Sequence, residues 1–159
     1  MVFMKENKIT FAAGCFWGTE AIFRGSRGVI ETTVGYMGGH YKNPTYEDVL
    51  TDSTGHAEVA QIIYDEDTIS FETLLRMLFK SHNPTILPGK KYKYRSSIFY
   101  YNDEQKKTAE IFLDRLQHAK RYTKSISTSI VPASTYYLAE PRHQHYYEKH
   151  NHIPKRVRK

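Results

Sequence analysis

One thiol dominates the chemistry open to this chain. Cys15 is the single cysteine among 159 residues, and it stands in Gly14-Cys15-Phe16-Trp17-Gly18. Lys8 to Ala13 predicts a short strand ahead of it. The apolar positions between Phe16 and Arg24 are compatible with a helix broken at Gly25. A thiol where a strand hands over to a helix meets the positive end of the helix dipole and the first-turn N–H groups. Both favour the thiolate, which is the nucleophilic form. The flanking glycines let the backbone turn tightly and a ligand approach. Phe16 and Trp17 set apolar bulk beside the sulfur. Together these describe an attacking thiol next to an apolar pocket. The plainer alternative is that Cys15 is a small buried hydrophobe and that Phe16 and Trp17 are core. The residues alone leave both open.

The elements that must position this thiol follow from periodicity. Val29 to Met37 is rich in β-branched residues and reads as a strand ended by Gly38-Gly39. Asn43-Pro44-Thr45 forms a loop with a capping residue, and Tyr46 to Leu50 forms a short helix. His56 to Tyr64 is a second strand, in which His56, Glu58 and Ala60 share one face. Ser70 caps a helix whose apolar stripe is Phe71, Leu74, Leu75, Leu78 and Phe79, and Asn83-Pro84 ends it. Thr73 stands where a full capping box would need an acid. Ser96 to Tyr101 is a strand. Asp103 opens a long helix to about Lys120, with Ala109, Phe112, Leu113 and Leu116 on one side and Ile111 off that stripe. Ser127 to Val131 is the last strand. From Tyr136 onward the chain is aromatic and His-rich without a readable period. The expectation is one α+β domain over residues 1–159, a mixed or antiparallel sheet with packed helices and a ferredoxin-like plait core. A basic tail begins at about residue 154.

Composition narrows the setting. The length is enough to bury a core without disulfides, and a lone cysteine forms no internal one. A reducing, cytoplasmic compartment is expected, with no signal peptide and no membrane span. The net charge of +6 gathers partly in Lys155, Arg156, Arg158 and Lys159 and in Lys90, Lys91 and Lys93. No nucleic-acid-binding motif accompanies it, so solvated clusters are expected rather than a nucleic-acid partner. His143, His145, His150 and His152 match no zinc spacing, and no metal site is expected. The 13 tyrosines hint at a polar-lined pocket, since a buried hydroxyl needs a partner.

Several motifs in order resemble one family. GCFWG, preceded by Phe11-Ala12-Ala13, is similar to the signature of the methionine-S-sulfoxide reductases. Gly35-Tyr36-Met37-Gly38-Gly39, Asn43-Pro44-Thr45-Tyr46, Thr54-Gly55-His56-Ala57-Glu58 and Tyr94-Arg95-Ser96 resemble its glycine turn, first tyrosine motif, acidic motif and second tyrosine motif. The resemblance runs with one gap from about Ile9 to Tyr101, and more loosely to His145. It implies that Cys15 attacks the sulfoxide sulfur and becomes a sulfenic acid, releasing methionine. It implies that Glu58 donates the proton, which needs a pKa raised by burial. It places Tyr46 and Tyr94 on the sulfoxide oxygen and makes Phe16 and Trp17 the pocket for the ε-methyl group. It also places the region around Tyr136 and Tyr137 at the site, lining or covering it. The substrate implied is methionine-S-sulfoxide in oxidised proteins and peptides or free, with no bound cofactor.

Two departures stand out. Before its second tyrosine the family carries a glycine-asparagine-aspartate stretch. Here Pro88-Gly89-Lys90-Lys91-Tyr92-Lys93-Tyr94 is shorter, lacks the aspartate that helps order the site, and is cationic. Its lysines either approach Cys15 and favour the thiolate or, as is usual in a loop, face solvent. Secondly, many members resolve the sulfenic acid with further cysteines. This chain has none, so an external thiol, thioredoxin or a small dithiol, must reduce Cys15. The rival readings are a redox sensor in which Cys15 is oxidised as a signal, and a thiol peroxidase.

Overall fold

Strand β1 (Glu6–Ala13) shows why the chain folds as it does. Ile9, Phe11 and Ala13 enter the main hydrophobic cluster, while Ala12 joins a smaller cluster on the opposite face. That is the two-residue alternation of a strand buried on both sides. The computed structural model describes residues 5–150; His152 and the basic tail from about residue 154 lie outside them. After β1 come α1 (Phe16–Phe23), β2 (Val29–Met37), α2 (Tyr46–Leu50), β3 (Ala57–Asp65), α3 (Phe71–Ser81), β4 (Ser96–Tyr100) and α4 (Asp103–His118). The described chain ends through β5 (Ser129–Pro132), β6 (Tyr137–Leu138) and α5 (Tyr146–Lys149). Single turns of 3₁₀ helix cover Tyr92–Tyr94 and Pro141–His143.

The expected elements form with small shifts at their ends. α4 stops at His118, just short of Lys120, which takes a left-handed φ of 59° that no helix continues through. β5 starts two residues later and ends one residue later than expected, and pairs Ser97 with Ser129. Thr45 and Asp48 close a full capping box on α2. Ser70 caps α3 by accepting the Thr73 N–H, and the hydroxyls of Ser70 and Thr73 meet where a box would have an acid.

The sheet runs β5-β4-β1-β3-β2-β6. Every pair is antiparallel except β4 with β5, so it is mixed. Leaving aside the short α2, β1 to β4 form a β-α-β-β-α-β succession with α1 and α3 between strands. Residues of α1, α3 and α4 pack over one face. The other face holds Ala12, Met37, Ala57, Val59 and Phe99, with Val131, Ala133 and Tyr136 against them. This is the expected α+β class.

Register decides where chemistry can gather. Ala13 pairs with Ser96, and Tyr36 pairs with Glu58. The C-terminal ends of β1 and β2 therefore lie beside the N-terminal starts of β3 and β4. Four adjacent strands meet at one end of the sheet, and the segments leaving it carry Cys15, Tyr46, Glu58 and Tyr94. Gly14, with φ of 88° and open space around its Cβ position, makes the left-handed turn that carries the chain from β1 into α1. Gly39 answers a different need: a Cβ there would collide with the backbone of Thr54 and His56. His56 seals this turn, accepting the Gly39 N–H on Nδ1 at 3.0 Å and donating from Nε2 to the Tyr41 carbonyl at 2.7 Å.

The C-terminal segment wraps across the same end. Gln144 substitutes for a strand on the β2 edge, accepting the Val34 N–H and donating to the Val34 and Ala139 carbonyls. Arg24 bridges the buried Glu20 of α1 at 3.0 Å and Glu148 of α5 at 2.6 Å.

Candidate active site

Cys15 is the N-cap of α1 and is exposed. Glu58 lies beside it on the helix-covered face of β3, only 1% exposed. The two are tied through the next backbone group: Phe16 N–H donates to Glu58 Oε1 at 3.1 Å. The other carboxylate oxygen, Oε2, is buried with no hydrogen-bond partner among the described residues. Burial pushes the carboxyl up to about 7, against the opposing pull of the Phe16 N–H and the Lys93 ammonium. A carboxyl poised there holds a proton at neutral pH and can release it.

Tyr46 opens α2 and Tyr94 ends the 3₁₀ turn before β4. Burial raises both phenols, and nearby negative charge on Glu58 and then Cys15 raises them further, Tyr94 to about 12. Both phenols therefore keep their protons and face the same two groups. Tyr46 is set by Glu140, whose Oε2 accepts the Tyr46 N–H at 2.8 Å while Oε1 accepts the Tyr36 hydroxyl at 2.9 Å. Burial alone would raise Glu140, but these hydrogen bonds outweigh it and hold the carboxyl below its usual value.

The lysine loop divides. Lys90 and Lys91 are exposed, as a loop lysine usually is. Lys93 instead is buried: its Nζ donates to Asp52 Oδ2 at 2.8 Å and its N–H to Asp52 Oδ1 at 3.1 Å. Asp52 reaches it from a left-handed position at the end of α2. The acid that orders the turn bearing Tyr94 thus comes from another part of the chain. Replacing Lys93 with Met removes the cation that holds Glu58 down. The Glu58 pKa then rises, so the alkaline limb of kcat/KM moves to higher pH, which a pH profile measures.

The aromatic residues take unequal places. Phe16 is fully buried, with its ring 6.2 Å from Tyr46, 5.7 Å from Tyr36 and 5.4 Å from His143. It is a backing wall beneath Tyr46 rather than an exposed surface. Trp17 is half-buried, stacked on Tyr146 at 3.8 Å, and donates from Nε1 to His143 Nδ1 at 3.0 Å. Glu140, His143 and Tyr146 are therefore the C-terminal residues that reach the site. Within the same region Tyr137 pairs with β2 and sets its ring against His56, and Tyr136 bonds Thr33. His145 bonds the Thr32 carbonyl and His150 stacks on Tyr146, so the histidines are spread over separate contacts. No group of three metal-binding side chains occurs among the described residues.

Sequence reasoning missed Asp52, Glu140 and His143. Only their polarity within poorly periodic stretches marked them, and their roles depend on contacts 41, 94 and 126 residues away. A thiol, a protonated carboxyl and two phenols on one side of an apolar wall can attack a soft electrophile and protonate its departing oxygen.

Comparison with known proteins identifies the family. Residues 7–159 match the family model for peptide methionine sulfoxide reductase. The chain is 48% identical to the peptide methionine sulfoxide reductase MsrA of Methanothermobacter thermautotrophicus, over 94% of this chain and 90% of that protein. The structure of reduced Mxr1 from Saccharomyces cerevisiae aligns with a TM-score of 0.83 and 32% identity, over 92% of this chain and 87% of that one. Mxr1 in complex with Trx2 aligns with a TM-score of 0.62 and 28% identity, over 89% and 85%.

Proposed function

The chain belongs to the peptide methionine sulfoxide reductase family and is an oxidoreductase; from that premise we propose that Cys15 is its nucleophile and Glu58 its proton donor. The Cys15 thiolate attacks the sulfur of methionine-S-sulfoxide. Glu58 delivers a proton to the oxygen as the S–O bond breaks, and the phenols of Tyr46 and Tyr94 hydrogen-bond that oxygen as charge builds on it. The expelled hydroxide then attacks the Cys15 sulfur and breaks the S–S bond formed in the first step, so that Cys15 is left as a sulfenic acid and the substrate departs as methionine. Two electrons have moved from the cysteine sulfur to the methionine sulfur. The observation that carries this reading is the Glu58 carboxyl: buried, raised to about 7, and bonded to the N–H that follows Cys15.

The half-buried Trp17, stacked on Tyr146 and held by His143, supplies the wall for the ε-methyl group, with Phe16 behind Tyr46. Oxygen, methyl and the rest of the residue then meet three different surfaces, and only one sulfoxide epimer satisfies all three. The sulfenic acid is reduced by two equivalents of an external thiol, releasing water and a disulfide, because this chain offers no second cysteine. The Mxr1 complex with Trx2 supports a thioredoxin-like donor, and a dithiol can replace it. No bound cofactor enters the scheme. No helix among the described residues is long and apolar enough to cross a membrane. A reducing, cytoplasmic setting suits a thiol that must be returned after each turnover. The single sheet and the family match over residues 7–159 support reading residues 1–159 as one reductase domain with a basic tail.

The test supplies dithiothreitol and the separate epimers of N-acetyl-methionine sulfoxide. Consumption of the S epimer with the R epimer left intact is the expected result. Survival of both epimers, with Cys15 intact, would overturn the assignment.

A further inference from the structure

We propose that the groove beside Gly14 and Tyr94 is a subsite for the peptide that flanks the methionine sulfoxide, and that it selects an apolar residue followed by acidic ones. The inference rests on the reductase reading and deepens it.

The groove holds about 410 Å3 and starts at Ala13, Gly14 and Tyr94, so it is continuous with the candidate active site. Its outer rim is Ile86 and Leu87, which are 65% and 75% exposed and among the most exposed large apolar side chains described. The same two residues rim a second concavity of about 560 Å3 that ends at Arg121 and Lys124. Exposed Lys91 closes the near side. A chain leaving the active site along this path therefore meets an apolar ridge and then cations.

The charge is one-sided. Residues 81–101 and 119–139, which supply most of both concavities, contain no Asp or Glu, yet include Lys90, Lys91, Arg121 and Lys124. Leaving Leu87 wetted costs apolar hydration that an incoming side chain relieves. Lys91 also feels the Asp52 carboxylate, which is held by Lys93, but Arg121 and Lys124 make no ion pair among the described contacts, and exposed cations at the rim attract acidic residues in a salt-dependent way. A peptide of apolar and acidic character matches both features, and a basic peptide matches neither.

The experiment compares two fluorescein-labelled peptides carrying the S-sulfoxide, one flanked on each side by Leu-Glu-Glu and one by Ser-Lys-Lys. Anisotropy gives Kd, and dithiothreitol-driven turnover gives kcat/KM. The acidic peptide should exceed the basic one by about tenfold in both at low salt. The advantage should shrink as salt rises. Leu87→Ser and, separately, Lys91→Glu should erase it while leaving N-acetyl-methionine sulfoxide reduction unchanged. Equal Kd for the two peptides overturns the proposal. So does a Leu87→Ser protein that keeps the discrimination but needs more thioredoxin, since the groove would then be a reductant surface. Failure to reduce N-acetyl-methionine sulfoxide overturns the reductase reading instead, and the Kd comparison still decides the groove.

Discussion

Cys15→Ser is expected to lower reductase activity by at least about 10⁴-fold, to background, with no loss of thermal stability. A serine hydroxyl stays protonated at neutral pH and is a poor nucleophile toward sulfur, so no attack replaces the lost one. The fold has little reason to notice. Cys15 is exposed and sits at an N-cap, where serine is among the preferred residues. A steady-state assay together with a melting curve separates the outcomes. Activity that survives the substitution would move the chemistry away from Cys15.

Glu58→Gln carries the second large effect, a fall in kcat/KM of about 10²–10⁴. Glutamine keeps an acceptor for the Phe16 N–H and adds little bulk, but it has no proton to deliver. The wild-type rate should decline as pH rises through about 7, where Glu58 loses its proton, and the variant should lack that limb. Stability should move the other way. The folded-state pKa lies near 7, above the ordinary value of 4.5, so the native state holds the proton more tightly than the unfolded chain. As pH rises from 4.5 through 7, the wild type loses stability because it must bury a carboxylate. The variant keeps its neutral side chain throughout. At pH 8 it should therefore be less active and more stable than the wild type, measured by turnover and urea denaturation. A carboxyl serving only to hold the fold would not give that pair of results.

The local setting of Cys15 was legible in the chain because it rests on neighbouring residues. The strand, the left-handed Gly14 and the helix start all lie within a few residues of Cys15, and periodicity alone marks them. The burial of Glu58 was implied by the family resemblance alone, since Ala57 and Val59 point to the opposite face, and its own face is the helix-covered one. What could not be read is what distant segments bring. The loop from Lys90 to Lys93 looked like solvated charge, yet Asp52 draws Lys93 inward and fixes the turn that carries Tyr94. The tail after Tyr136 has no period because it follows the outline of the site. Gln144 serves as an edge strand, Glu140 as a bracket between Tyr36 and Tyr46, and His143 as the acceptor for Trp17. Such roles depend on where a segment lands, and residue type alone does not disclose them.

The most direct test of a single-thiol reductase mixes the reduced protein with one epimer of N-acetyl-methionine sulfoxide and no added thiol, then counts methionine and traps Cys15 with dimedone. One methionine per Cys15 from the S epimer, almost none from the R epimer, and a sulfenic acid trapped on Cys15 is the predicted result. No methionine from the S epimer, with Cys15 still titrating as a thiol, would contradict the account.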